Sequence, residues 1–394
     1  MAVSRTDTSV LGRWWWSVDR WTLMALLALV AIGYVMMLSA SPAVAERIGA
    51  ASRHMFLARQ VMYSAIAVVV MIAVSLVSPR WVVRLALLGT LGALFLTAMT
   101  LVVGAEIKGA RRWISLPGMS LQPSEFLKPC LAVACGWLIA EGKRSRRFPG
   151  MFVAFLLIGL VAVLLKQQPD IGMLAVIAAV FLAQVFVSGI NLFFVAAGGG
   201  MVVALGVLAF MFHGHVRSRV QRFLDPESGD NFQVRMSMEA FGNGGLLGRG
   251  PGEGRVKDVL PDAHADFVFP VAAEEFGLAL CLVILGIFAF VVIRGLVRLL
   301  DEREMFVSLA ATGLLTQFGL QAFINMASSL HLIPTKGMTL PFVSYGGSSV
   351  VALALGMGFL LALTRRRTSR HDSPHASRRD SPHASRHDTL EDRA

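Results

Sequence analysis

An all-α membrane protein that crosses the bilayer about ten times, with one long extracytoplasmic loop between helices seven and eight, is what this sequence should build. Charged residues make up 15% of the 394 positions, against about 25% in soluble chains, while hydrophobic ones reach 55%. So few charges cannot cover a water-facing surface, and the mean hydropathy is +0.65. The apolar runs are also too long for the strands of a barrel, which cross in about ten alternating residues. The net charge of +11 is explained by basic residues that gather at the cytoplasmic ends of membrane helices, and it makes no case for nucleic acid.

Stretches able to cross about 30 Å of hydrocarbon fall near 21–41, 56–77, 82–103, 124–140, 149–165, 171–188, 192–212, 267–293, 305–329 and 345–364. This divides the chain into a cytoplasmic segment 1–20, a membrane domain 21–365 that includes the long periplasmic loop 213–266, and a tail 366–394. The first run is long and followed by further spans, so it reads as an anchor rather than a cleaved signal. An even number of crossings puts both termini on one side, and the basic clusters at 143–147 and 365–370 make that side cytoplasmic. Trp14, Trp15 and Trp16 suit an aromatic belt at that face. Cys130, Cys135 and Cys281 lie within apolar runs, without a CxxC pair or Cys/His cluster, so neither a disulfide framework nor a zinc site is expected. In the tail, SRHDSPHA at 369–376 recurs as SRRDSPHA at 377–384. A repeat this polar cannot offset its own ordering entropy and should be disordered.

Function should show where polarity is costly or charge falls on the wrong side. The outer loop 104–129 sets Lys108, Arg111 and Arg112 against the positive-inside trend. Glu125 and Lys128, three residues apart, then enter span four on one helical face. Alone, such a pair would only anchor a helix end. Beside these cations and Arg59, with a helix start at Pro123-Ser124-Glu125, it suggests an anion site. The loop 213–266 is far longer than ordinary connections and contains FGNGGLLGRGPGEG at 241–254. No GK[ST] follows those glycines, so nucleotide binding is not expected, and a flexible lid or substrate-gating loop suits them better. In PDAHADFVFPVAAEEFG, 261–277, Asp266 stands at the threshold of span eight, where it could also cap the helix. Glu274 and Glu275 lie two turns deeper in the apolar run. Carboxylates there cost about 2.5–3.5 kcal/mol each, so they should face a polar cavity, a cation or an ion-pair partner on a neighbouring helix. Lys166 and Asp170, around QQPDIG, form a similar break before span six. PTKGMTLPFVSYGGSS, 334–349, forbids a continuous helix and should be a re-entrant turn lining a cavity with Ser344, Tyr345, Ser348 and Ser349. Together these features describe an outward-facing cavity suited to an anionic, lipid-linked substrate.

KGARRW at 108–113, QPSEF with Lys128, QPDIG at 168–172, PDAHADF with EEFG, and PTKG followed by LPFVSYGGSS resemble the SEDS family, the shape, elongation, division and sporulation membrane glycosyltransferases. The resemblance covers nearly all of 20–365, and GARRWI with QPSEFLKP resembles its division branch more than its elongation branch. Asp262 and Ala265 depart from the family's glutamate and threonine, while His264, Asp266 and Phe267 follow it. The resemblance implies polymerisation of lipid II into peptidoglycan strands at the outer face of the bacterial inner membrane, at the division septum. Inversion at the sugar and an undecaprenyl diphosphate leaving group are implied with it. Partners would be the undecaprenyl-diphosphate-linked glycan, a class B penicillin-binding transpeptidase and other division proteins. Asp266 would be the base, alone or assisted by a divalent cation (Mg or Mn) held by Asp266 and Glu125. Haem, flavin and nucleotide are not implied. Arg59, Lys108, Arg111 and Lys128 would meet the diphosphate, Glu125 and Glu274 would hold the cations, and Ser344 and Tyr345 would touch substrate. A lipid II flippase or secondary transporter coupled through Glu274 and Glu275 is the competing reading. It would place its site near the midplane between inverted repeats, and neither feature appears in the sequence.

Overall fold

The computed structural model describes residues 9–365, apart from 48, 50–51, 53, 108–109, 117–118, 146, 213, 225–231 and 335–336. Lys108 and the repeat tail therefore lie outside the described residues. A short helix α1 (Val10–Ser17) precedes seven spans: α2 (Arg20–Arg47), α3 (Met55–Ser75), α4 (Pro79–Val103), α5 (Pro123–Arg144), α6 (Gly150–Gln167), α7 (Ile171–Val187) and α8 (Leu192–Phe212). The long loop follows with α9 (Gly214–Leu224), α10 (Phe232–Gly244) and α11 (Val256–Val259). The chain ends in α12 (Val268–Leu299), α13 (Met305–Ser329) and α14 (Ser348–Leu363). Every expected span is a helix, and seven of them are long and apolar enough to cross a membrane unaided.

The centre of the bundle is α5, α13 and α14, whose side chains are buried nearly all round. A membrane helix buried on every face cannot be recognised by an amphipathic stripe, which is why their centrality is not written in the sequence. At the other extreme, α8 buries none of its described residues. The connection 104–122 is not simply irregular: β1 (Ala105–Ile107), β2 (Ala110–Leu116) and β3 (Met119–Leu121) form a small antiparallel sheet in that order. Its register sets Glu106 opposite Arg111, and the two side chains pair at 3.4 Å.

The N-terminal segment is more than a leader to the first span. Trp14 of α1 is buried and donates from Nε1 to Ser75 Oγ at 2.9 Å. Asp19, also buried, accepts from Arg294 at 2.8 and 2.9 Å and pairs with Arg298 at 2.9 Å. These contacts tie α1 to the end of α3, and the start of α2 to the far end of α12, opposite Asp266.

Two expectations are corrected around α12. Glu274 and Glu275 are not two turns inside a continuous span, because the helix breaks just after them. Gly277 has φ 71° and ψ −172°, a conformation that only glycine adopts readily. The uninterrupted membrane part begins at Leu278. Nor is the glycine-rich stretch a flexible lid, since residues 245–257 dock into the break. Val256 N donates to Glu274 Oε2 at 2.9 Å and Gly252 N to Glu275 Oε2 at 3.1 Å. Lys257 Nζ pairs with Glu275 Oε1 at 2.7 Å, and Ser39 Oγ donates to the same oxygen. Both carboxylates are fully buried, and their partners come from the loop and α2 rather than from a cation site. The glycines permit close approach: a Cβ on Gly277 would lie 2.4 Å from Gly248 N and from Leu246 O. Gly277→Ala should therefore undock the loop. The backbone cost alone is about 1–3 kcal/mol, read as a lower thermal midpoint in detergent, and an unchanged midpoint would show that the docking contributes nothing.

Candidate functional site

The site grows from one face of α13. Gln317, Gln321 and Asn325 recur every four residues and so line one side of an otherwise apolar helix. Asn325 Nδ2 donates to Asp266 O at 3.0 Å and to Met338 O at 2.6 Å. Two carbonyl acceptors fix the amide's orientation and leave the buried Oδ1 with no hydrogen-bond partner among the described residues. One turn earlier, Gln321 Nε2 donates to Thr339 O at 3.2 Å while its Oε1 accepts from Lys128 Nζ at 3.0 Å. The polar face of α13 thus joins three elements: the turn bearing Asp266, the segment 338–339 and the start of α5.

Lys128 and Glu125 do share a helical face, and their charges meet at 2.9 Å. Both are buried, and Glu125 Oε2 also accepts from Ser349 Oγ at 2.9 Å, which in turn lies 3.2 Å from Thr339 Oγ1. The helix start expected at Pro123 is present, with Gln122 N donating to Ser348 Oγ at 3.2 Å. An ammonium has three donors, and Glu125 and Gln321 engage two of them.

Asp266 is half-buried in the turn 261–267. Its carboxylate lies against Gly337, where a Cβ would meet Oδ2 at 2.8 Å. The position before α12 is Phe267, which makes no side-chain cap, so Asp266 does not fill the capping place. Beside it, the His264 ring packs at a tilt against Phe56, with ring centroids 4.5 Å apart, and against Tyr345 at 5.2 Å, and its carbonyl accepts from Tyr345 N at 2.9 Å. Arg59 is exposed and hydrogen-bonds the Tyr345 hydroxyl. Burial pushes His264 down to about 4; Asp262 opposes this and Arg47 adds to it. His264 is therefore neutral at pH 7. Its folded value lies below the ordinary 6.5, so its contribution to stability is complete above pH 6.5 and is lost as the pH falls towards about 4. A thermal midpoint that drops across this window, and drops less in His264→Gln, is the expected result.

Other expected residues are placed elsewhere or turned to other work. Arg111 pairs with Glu106 at the exposed sheet. Arg112 donates to Gln168 O at 2.8 Å and Pro169 O at 2.7 Å and meets Asp170 at 3.3 Å, locking β2 onto the turn between α6 and α7. Ser344 is fully buried and closes the re-entrant turn by accepting from Leu340 N at 2.9 Å. Glu274, on α12, is taken up in holding the docked loop, whose Arg249 pairs with it at 3.5 Å. Among the described residues no three His, Cys, Asp or Glu side chains gather as a metal cage. Gln321, Asn325 and Thr339 were not expected, although polar side chains spaced by four in an apolar span were a signal to follow.

Over residues 20–369 the chain matches the family described as cell cycle protein, FTSW_RODA_SPOVE. A protein of Caulobacter vibrioides named "Probable peptidoglycan glycosyltransferase FtsW" is 44% identical over 367 residues, 93% of this chain and 94% of that one. One of Geobacter sulfurreducens with the same name is 35% identical over 360 residues, 89% and 96% of the two chains. Among solved structures, a chain from a peptidoglycan synthase complex that coordinates polymerization and crosslinking superposes with TM-score 0.73 at 28% identity. The match covers 88% of this chain and 97% of that one. The rod shape determining protein RodA of Thermus thermophilus gives 0.67 at 28% identity, covering 89% and 97%.

Proposed function

From the premise that this chain belongs to the FtsW, RodA and SpoVE family of cell cycle proteins, we propose how it works. It is a multi-pass membrane peptidoglycan glycosyltransferase of the division type, polymerising lipid II into glycan strands. The termini lie in the cytoplasm, as the basic clusters at 143–147 and 365–370 favour. The Asp266 end then faces outward at the septum.

The observation that carries the site is the common scaffold of Asp266 and Lys128. The Asp266 carboxylate rests on Gly337, and the next two residues are tied through Asn325 and Gln321 to the buried ammonium. A base and a cation are thus held by one helix face. The 4-hydroxyl of the lipid II N-acetylglucosamine attacks C1 of the lipid-linked muramoyl sugar and gives its proton to Asp266. The C1–O bond to undecaprenyl diphosphate breaks, with inversion at C1. Lys128 offers its remaining donor to the departing diphosphate, and Arg59, whose side chain is exposed beside Tyr345, adds a second cation. Arg111, on the flanking sheet, and Lys108, three positions before it in the sequence, contribute to the field that draws the diphosphate in. Tyr345, packed against His264, offers a surface to a sugar ring. Glu125 holds Lys128 in place. Because Glu125 is already taken by Lys128 and Ser349, a divalent cation would be held by Asp266 with the substrate's own phosphate oxygens, where it would neutralise developing charge.

A single-span class B penicillin-binding transpeptidase is the proposed partner, which the likeness to a chain of a peptidoglycan synthase complex supports. The experiment is incubation of purified protein, alone and with that partner, with lipid II, followed by gel analysis of glycan. Absence of polymer in both, from folded protein, would sink the reading.

A further inference from the structure

Leu246 and Leu247 form the tip of the docked glycine-rich loop, and they are 73% and 83% exposed. That exposure does not come from looseness. Gly245 and Gly248 on either side have φ of +55° and +82°, so the backbone turns out and back within two residues. Behind the tip, four backbone hydrogen bonds fasten the loop to α12. Arg249 N donates to Glu274 O at 2.9 Å and Gly250 N to Glu275 O at 3.0 Å, while Leu278 N donates to Gly245 O at 2.9 Å and Ala279 N to Leu246 O at 3.1 Å.

The break at Gly277 makes Leu278 and Ala279 the first residues of the membrane part of α12. Leu278, Leu282 and Val283 are about half exposed, in a stripe that can only face lipid or a membrane partner. Leu246 is bonded to the first turn of this stripe, so the two leucines stand at the level where the hydrocarbon begins. A rigid apolar tip at that height is out of place in water and suits the boundary between headgroups and acyl chains.

We propose that Leu246 and Leu247 insert into the leaflet on the Asp266 side, seating the loop in the outer membrane surface. The occupant is lipid because the tip continues the exposed apolar stripe of α12 and the segment 244–248 carries no charge. Gly245, Gly248 and the Glu274 and Glu275 contacts then serve to hold the tip at a fixed depth. The inference stands apart from the sugar chemistry, since it depends only on where the membrane begins.

The test uses the full chain in vesicles of phosphatidylethanolamine and phosphatidylglycerol, with Leu247→Cys carrying an environment-sensitive fluorophore. Cys130, Cys135 and Cys281 are buried, so the parent protein serves as the labelling blank. Glu253→Cys, on the exposed part of the same loop, is the aqueous control. Lipid spin-labelled high on the acyl chain should quench the Leu247 probe at least roughly threefold more than iodide does, with the order reversed at Glu253. Leu246→Cys, read in the same way, guards against one misplaced label. Iodide quenching at Leu246 and Leu247 equal to that at Glu253 would overturn the proposal. So would shielding that appears only when the transpeptidase is added, which would make the tip a protein contact.

Discussion

Asp266→Asn should make no glycan polymer above background while still binding lipid II. The amide keeps the size of the side chain and its place against Gly337, and the backbone bonds that hold this turn, Asn325 Nδ2 to Asp266 O and Tyr345 N to His264 O among them, are left alone by the substitution. Insertion and thermal midpoint should stay near those of the parent. Lost are the proton acceptor and the negative charge, and general base catalysis is typically worth 10²–10⁴-fold. A capping role would instead predict activity in Asn and failure in Ala, and Phe267 stands where such a cap would be. Glu274→Gln and Glu275→Gln make the contrast. Their oxygens accept from Val256 N and Gly252 N and pair with Arg249 and Lys257, so these variants should lower the midpoint more than the chemistry. A coupled transporter would show the opposite order. Polymer from Asp266→Asn at near-parent rate would remove Asp266 from the mechanism.

Lys128→Met should cost at least about tenfold in polymerisation, from roughly 1.5–3 kcal/mol for each lost charge-assisted bond. The stem is kept, but Glu125 is left buried with Ser349 as its one side-chain donor among the described residues, and removing one member of a buried pair is itself destabilising by about 3–5 kcal/mol. Folding and function must therefore be separated. Adding Glu125→Gln removes the stranded charge, so the double variant should regain most of the thermal midpoint without regaining polymer. Recovery of both would mean that Lys128 only neutralises Glu125. Turnover within twofold of the parent in the single variant would reduce it to an anchor.

Much of the molecule was readable in the chain because the bilayer imposes a simple rule: a backbone in hydrocarbon must satisfy itself, so apolar runs of sufficient length become helices. The ten spans, the re-entrant turn before α14 and the Glu125–Lys128 pair followed from length, proline and glycine placement, and the spacing of three. The family motifs carried Asp266 and its neighbours. What local sequence does not contain is which polar groups from distant segments will meet. Glu274 and Glu275 look like intramembrane carboxylates until Gly277 breaks the helix and brings residues 252–257, about twenty positions earlier, onto their oxygens. The glycines that suggest mobility in a linear reading prove to be places where two backbones touch, and closeness between segments is a property only of the folded chain. Arg112 reads as a free cation and is spent on the 168–170 turn. Gln321 and Asn325 read as minor polar interruptions and become the bridge between Asp266 and Lys128. Sequence by itself therefore determined the membrane class, the spans and the identity of the charged residues. The tertiary structure alone decided their pairing, because burial leaves each charge only the partners that packing brings within hydrogen-bond reach.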